Sequence, residues 1–498
     1  MKQNPMKQNP MKPNPMKSQP IHPSIRLRSI LRVGRWLVIS VVLFAGSISK
    51  VAAQDEPRRM NVLFIAVDDL NTRLACYGHP GLHTPHIDAL AARGVRFDRA
   101  YCQYPSCGPS RASLLTGRRP RVTGVLNNRT NFRESMPDAL TLPEQFRERG
   151  YYVGRVGKIF HQGVPIDIGT PGLDDTASWE EVFDPSGRDR EEEDLLTVYT
   201  PELLLQDRMS YLAADGTDQE QTDGMVATEV IRLMQKHKDD PFFLAAGFYR
   251  PHIPYIAPKK YFQLYDLAQT VLPFVPEGYR QTVPSAALAS TKTWPNFGTT
   301  ARQARECILA YDASAAFVDA QVGRLISELD RLELSDNTII VFWGDHGYHL
   351  GEHGLWRKNS LFEESARAPL IVSAPGISQQ DCKRVVEFVD IYPTVMELAG
   401  MTAPPACDGK SLVPLMRDRD AVWDDAAFTQ VQFGKNEDAV PGRSIRTGRW
   451  RYVEWDEGRR GRELYDHQHD AEEMRNVAVD PKHAAIIRRL RSRMKGKF

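Results

Sequence analysis

The stretch "NVLFIAVDDL", Asn61 to Leu70, decides the architecture of this chain. From Val62 to Val67 it is wholly apolar and rich in branched side chains. Alternation of apolar and polar residues would mark a strand with one wet face. A continuous run of this length marks a strand buried on both faces, as in a parallel sheet covered by helices. The run stops at Asp68-Asp69, so the carboxyl edge of the sheet is expected there. Runs of the same texture follow at "FFLAAGF" (Phe242 to Phe248), "TIIVFW" (Thr338 to Trp343) and "PLIVSA" (Pro369 to Ala374).

Helical segments separate these runs. In "AFVDAQVGRLISELDRL" the positions Val318, Val322, Leu325 and Leu329 fall on one helical face. "TLPEQFRERG" opens with a Thr141 to Glu144 capping box and closes on Gly150. Strands alternating with helices predict an α/β fold, a large and mostly parallel sheet flanked by helices on both faces. Past residue 380 the texture changes. "VDIYPTVMELAG" reads as a helix, "RWRYVEW" as a short strand, and Pro481 to Met494 as a basic helix. The expected division is 1–53 as leader, 54–380 as a catalytic α/β domain and 381–498 as a smaller α+β subdomain.

The leader is read from composition. A Lys-Asn-Pro tract precedes a basic stretch (Arg26 to Arg35), the apolar run "WLVISVVLFAGS" and Val51-Ala52-Ala53. That order is a secretory signal peptide with cleavage after Ala53, so a secreted or periplasmic protein is expected, or a lysosomal one in an animal. The apolar run is short for a bilayer span, and no stable membrane association is expected after cleavage. Cleavage removes nine Lys or Arg and no acid, leaving 55 basic against 63 acidic residues and a formal charge of −8. With no global positive field, nucleic acid is not an expected partner. The six cysteines (76, 102, 107, 307, 382 and 407) are too sparse for a disulfide scaffold. Cys382 with Cys407, and Cys102 with Cys107, are the pairs that spacing allows, against the alternative of small buried thiols.

Open α/β sheets place ligands beyond the carboxyl ends of their strands. Asp68-Asp69 follows the first strand and Asp345-His346 follows "TIIVFWG". Together they could hold a divalent cation, and their oxygen-rich donor set favours calcium or magnesium over zinc. Singly, an Asp after a strand is a common cap or turn former. His346, His349 and His353 resemble a zinc ladder, but the glycines of "DHGYHLGEHG" prevent helical register. His83 and His86 read as turn and cap residues, His83 with the further option of lining a substrate mouth. His467 and His469 read as junction supports, and the Trp450, Tyr452, Trp455 alternation as packing rather than a sugar platform.

The remaining motif is "CGPSR", Cys107 to Arg111, followed by "ASLLTGRRP". It resembles the signature of the sulfatase family, in which Cys-x-Pro-x-Arg directs oxidation of the cysteine to formylglycine. The resemblance continues through "NVLFIAVDDL", "GKIFH", "RPHIPY", "DHGYHLGEHGLWRK" and "ELYDHQHD", and is greatest to the iduronate-2-sulfatase group and its bacterial relatives. It implies one calcium ion held by Asp68, Asp69, Asp345, His346 and the modified Cys107. One hydroxyl of the hydrated aldehyde would attack sulfur, and the other would help expel sulfate. Arg111 would bond the hydrate or calcium-linked oxygens, and a helix opening at Pro109 would offer free N–H groups to an anion. Lys158 and Lys358 would neutralise sulfate, His252 or Lys358 would protonate the leaving oxygen, and His161 would orient the hydrate.

The implied partners are a sulfated carbohydrate, with the 2-sulfate of a uronic acid as one option, and a formylglycine-generating maturation enzyme. Two other readings compete. A phosphatase or phosphonate monoester hydrolase of the same superfamily would usually carry Ser or Thr in place of Cys107, or use two metals. A secreted, non-catalytic carbohydrate-binding protein would have lost a polar site residue.

Overall fold

The computed structural model describes residues 59–79, 81–434 and 436–498. The expected leader, residues 1–53, lies outside them. Eight strands form one large sheet: β1 (Asn61–Val67), β2 (Val95–Tyr101), β3 (Tyr152–Gly157), β4 (Glu181–Phe183), β5 (Phe242–Phe248), β6 (Thr338–Gly344), β7 (Leu370–Ser373) and β8 (Gln380–Glu387). Their spatial order is β8-β2-β7-β6-β1-β5-β3-β4. Every neighbouring pair is parallel except those made by β7, which runs antiparallel to both β2 and β6. The "PLIVSA" run was expected to resemble its parallel neighbours. Burial on both faces gives either direction the same apolar texture, so direction was not encoded there.

The central strand explains the two-sided core. Val62, Phe64 and Ala66 face one hydrophobic cluster, while Leu63, Ile65 and Val67 face the other. The first face is covered by α2 (Cys107–Thr116), α3 (Leu142–Arg147) and α6 (Ile391–Leu398). The second is covered by α1 (Pro85–Ala91), α4 (Thr222–Lys236) and α5 (Ala301–Arg331). The α5 stripe of Val318, Val322, Leu325 and Leu329 is fully buried there. Burying such side chains is worth roughly 1.5–3 kcal/mol each. The Thr141 and Glu144 capping box forms at the start of α3.

A second, antiparallel sheet joins β9 (Ala426–Phe433), β10 (Val440–Thr447), β11 (Trp450–Trp455) and β12 (Arg462–Asp466) in that order. The basic helix α7 (Ala484–Met494) packs on it through Leu490 and Met494. Trp450, Tyr452 and Trp455 are buried in its packing. The boundary expected at residue 381 needs correction, because β8 pairs with β2 inside the large sheet and the separate sheet starts at Ala426. Glu363 ties the two sheets together, meeting Arg446 and Arg451, while Arg451 and His467 also meet Glu473. All six cysteines are unpaired, so neither disulfide that spacing allowed is formed. No helix among the described residues is long and apolar enough to cross a membrane.

Candidate active site

Four adjacent strands deliver the site because their carboxyl ends are flush. Val67 pairs with Gly344 of β6 and Phe248 of β5, and Gly157 of β3 pairs with Gly247. The next residues, Asp345, Asp68 and Lys158, therefore leave the sheet at one level, and His252 follows on the loop after β5. A Cβ on Gly247 would lie 2.2 Å from the Lys158 carbonyl oxygen, so the approach of these two strand ends requires glycine.

Cys107 is the first residue of α2 and is fully buried. The helix begins two residues before the expected opening at Pro109. Its Gly108 N–H donates to Asn128 Oδ1 at 2.9 Å, and Pro109 has no N–H. The free helix end offered to an anion is therefore smaller than the sequence suggested. Cys107 Sγ lies 3.4 Å from His346 Nε2, and Lys358 Nζ donates to it at 3.2 Å.

Carboxylates and cations interlock around this atom. Arg111 Nε donates to Asp345 Oδ2 at 2.8 Å and Nη2 to Asp68 Oδ1 at 3.3 Å, while Nη1 reaches the Ile159 carbonyl at 3.1 Å. Lys158 Nζ donates to Asp68 Oδ2 at 2.6 Å, and Lys358 Nζ donates to Asp69 Oδ1. Asp69 N–H donates to Asp345 Oδ1 at 3.0 Å. His252 Nε2 stands 3.6 Å from Asp69 Oδ2, with its Nδ1 2.6 Å from the Ile253 carbonyl. His346 Nδ1 is 2.8 Å from the Gly347 carbonyl, an arrangement that turns the Nε2 lone pair toward Cys107, Asp69 and Asp345.

The electrostatics follow from this packing. Burial alone would raise the Asp68 carboxyl, but Lys158, His252, Arg111 and Lys358 together hold it well below the usual range. Asp69 goes the other way: burial dominates, Asp68 and Asp345 add to it, and Lys358 and His346 only partly compensate. Burial and then Asp68 push the Cys107 thiol up, which keeps it a neutral thiol rather than a thiolate. Burial and then Lys358 lower His252, and burial and then Lys158 lower His161.

These residues fit a hard divalent cation. Ligand atoms of Asp68, Asp69, Cys107 and His252 lie within 4.8 Å of one another, as do those of Cys107, Asp345 and His346. Asp69 Oδ2 is buried with no hydrogen-bond partner, and such an atom is costly unless something else satisfies it. Three carboxylates face three cationic side chains, so a bound dication would leave the site net positive and ready for an anion.

Asp68, Asp69, Cys107, Arg111, Lys158, His252, Asp345, His346 and Lys358 thus form one cluster. His161 flanks it, half-buried, and its Nδ1 has no hydrogen-bond partner. His349 and His353 are not part of a metal cluster among the described residues. His349 Nε2 lies 2.7 Å from Ser360 Oγ, and His353 stacks on Phe362. His83 is exposed on its turn. Sequence reasoning missed two supports of the site. Tyr311 of α5 donates its hydroxyl to the Asp69 carbonyl at 2.9 Å and accepts from Asn71 N–H at 2.9 Å. Asn128 caps α2, within a polar "NNRTN" loop that reads as an ordinary turn.

A family model described as Sulfatase matches residues 60–401, and one described as N-sulphoglucosamine sulphohydrolase, C-terminal, matches residues 351–497. The chain belongs to the sulfatase family. This sulfatase is 33% identical over 461 residues to a sulfatase of Formosa agariphila, covering 89% of this chain and 88% of the relative. It is also 33% identical to iduronate 2-sulfatase of Homo sapiens over 505 residues, covering 86% and 90%. Among solved structures, phosphonate monoester hydrolase from Silicibacter pomeroyi superposes with a TM-score of 0.72 at 25% identity, covering 88% of this chain and 94% of that one. The chain is therefore a sulfatase enzyme, and its architecture is that of the family.

Proposed function

We propose that this sulfatase acts on a sulfated carbohydrate, at the 2-sulfate of a uronic acid, with one calcium ion and a formylglycine made from Cys107 by a maturation enzyme during export. The observation that carries the reading is the placement of Cys107. Its side chain sits at the start of α2, against His346 and Lys358 and beside the Asp68, Asp69 and Asp345 carboxylates. Similarity to iduronate 2-sulfatase supports the choice of sugar and sulfate position.

Asp68, Asp69, Asp345 and His346 would hold the calcium, which would supply positive charge for sulfate oxygens and for a developing oxyanion. The hydrated aldehyde would supply a hydroxyl nucleophile toward sulfur. Lys358, which touches both Asp69 and Cys107 Sγ, and Lys158, which touches Asp68, neutralise the sulfate charge. Arg111 fixes the carboxylates by bonding two of them at once. With its Nδ1 at the Ile253 carbonyl, His252 presents an unprotonated Nε2 to the cluster, so the proton for the leaving oxygen comes from Lys358, whose Nζ reaches Cys107 Sγ. His161 flanks the nucleophile and orients it.

The test is a mass measurement on the peptide containing Cys107, paired with sulfate release from a 2-sulfated uronate oligosaccharide. An aldehyde in place of the thiol, and release abolished by chelator and by Cys107→Ala, are expected. An unmodified thiol in fully active enzyme, or turnover of an aryl phosphate or phosphonate comparable to that of an aryl sulfate, refutes the reading.

A further inference from the structure

Two adjoining cavities of about 520 and 470 Å³ open where β2 and β8 face the second sheet, and they share Arg99 and Lys383. Neither contains a residue of the catalytic cluster. Their charges do not balance. Arg96 holds Asp98 at 3.0 Å and Asp381 at 3.1 Å, Arg384 holds Asp425 at 2.8 Å, and Glu363 is held by Arg446 and Arg451. Arg99, Arg367, Lys383 and Arg419 make no direct ion pair among the described residues. Arg99 and Arg367 donate only to the backbone carbonyls of Gly448 and Asp98. Asp420 is the one lining carboxylate without a cation. Seven arginines and lysines line the two cavities against five carboxylates, a surplus of two positive charges.

The backbone supports this placement. The β8–β2 register breaks between Cys382 and Val385, so Lys383 and Arg384 sit in an irregularity of an edge strand. Such bulges re-aim side chains away from the ladder, here toward the cavities they line. We propose that this cleft is a second glycan site, which binds sulfate groups of the polysaccharide chain away from the bond being hydrolysed. The proposal rests on the reading that the substrate is a sulfated carbohydrate. Two linked cavities with cations along both suit a chain bearing repeated anions. Nucleic acid fits less well: of the two lining rings, Tyr77 is covered by the Arg96 guanidinium 5.4 Å from its centroid and His467 is held by Glu473 at 2.7 Å, so neither is a free platform for a base.

The test is binding of the full chain to a heparin-type sulfated octasaccharide and to its desulfated counterpart, with Lys383→Glu/Arg419→Glu as the variant. Both side chains are exposed and unpaired, so the melting temperature is expected to stay unchanged. Octasaccharide affinity is expected to fall about 10-fold or more, and KM for a sulfated polymer to rise in step, with kcat on a small aryl sulfate unchanged. Lysine on a bulged edge also deters strand addition, a role that glutamate fills equally well, so charge reversal separates the two explanations. Unchanged octasaccharide affinity overturns the proposal. Equal affinity for the desulfated chain, or tighter binding of single-stranded DNA through the same residues, overturns it too. If the enzyme releases no sulfate yet binds the octasaccharide through Lys383, the cleft stands and the proposed activity fails.

Discussion

Tyr311→Phe tests how the site is held. The Tyr311 ring is buried, stacked on Tyr348 at 5.5 Å between centroids and set edge-on to Tyr255 at 5.9 Å, so phenylalanine keeps the packing. What it removes is one hydroxyl that serves two backbone groups, the Asn71 N–H and the Asp69 carbonyl. Each group is left without a partner in a place water does not reach, at about 1–3 kcal/mol apiece, for a total of about 2–6 kcal/mol. Denaturant unfolding should show a lower midpoint with an unchanged slope. The second effect is local. Asp69 sits at φ 60°, in the left-handed region that non-glycine residues avoid, and Tyr311 is one of the bonds that keep it there. Freed from that bond, the Asp69 carboxylate should shift, lowering cation affinity and kcat/KM on an aryl sulfate by about 10- to 100-fold. A variant within about 0.5 kcal/mol of wild type in stability, with unchanged cation dependence, would refute the positioning role.

Lys358→Ala should lower kcat by about 10²–10³-fold, because it removes the one cation that touches both Asp69 and Cys107; timed sulfate release measures it. Asn128→Ala leaves the Gly108 N–H uncapped and should cost about 1 kcal/mol of stability. Glu363→Leu leaves Arg446 and Arg451 buried with less counter-charge and should cost about 3–5 kcal/mol by the same unfolding assay. For pH, burial alone would raise Glu363, but Arg446, Arg451, His467 and Arg367 hold it well below the usual carboxylate range. The unfolded chain therefore binds this proton first. The stabilisation is complete above about pH 4.3 and is lost as pH falls through the depressed folded value. Melting temperatures of wild type and Glu363→Gln should converge on acidification, and curves that stay parallel would exclude Glu363 as a source.

The parts of the site that were legible in sequence are those the topology must expose. A strand buried on both faces can carry polar side chains only where it ends, so Asp68 and Asp345 announced both the sheet and its functional edge. Direction was invisible in β7 because burial, not polarity, writes its composition. The boundary at 381 failed for a related reason: β8 is an edge strand whose exposed Lys383 and half-buried Arg384 make it look like surface chain. Tyr311 was hidden differently. It lies mid-helix at a buried position of α5, where an aromatic residue reads as core, and only the fold reveals that its hydroxyl ends at the Asp69 carbonyl. Tyr311 and Asn128 act through backbone groups rather than through side chains a motif would name. A chain that kept all nine cluster residues and lost Tyr311 would therefore read identically as a sulfatase while lacking one of the bonds that hold Asp69 in its strained conformation.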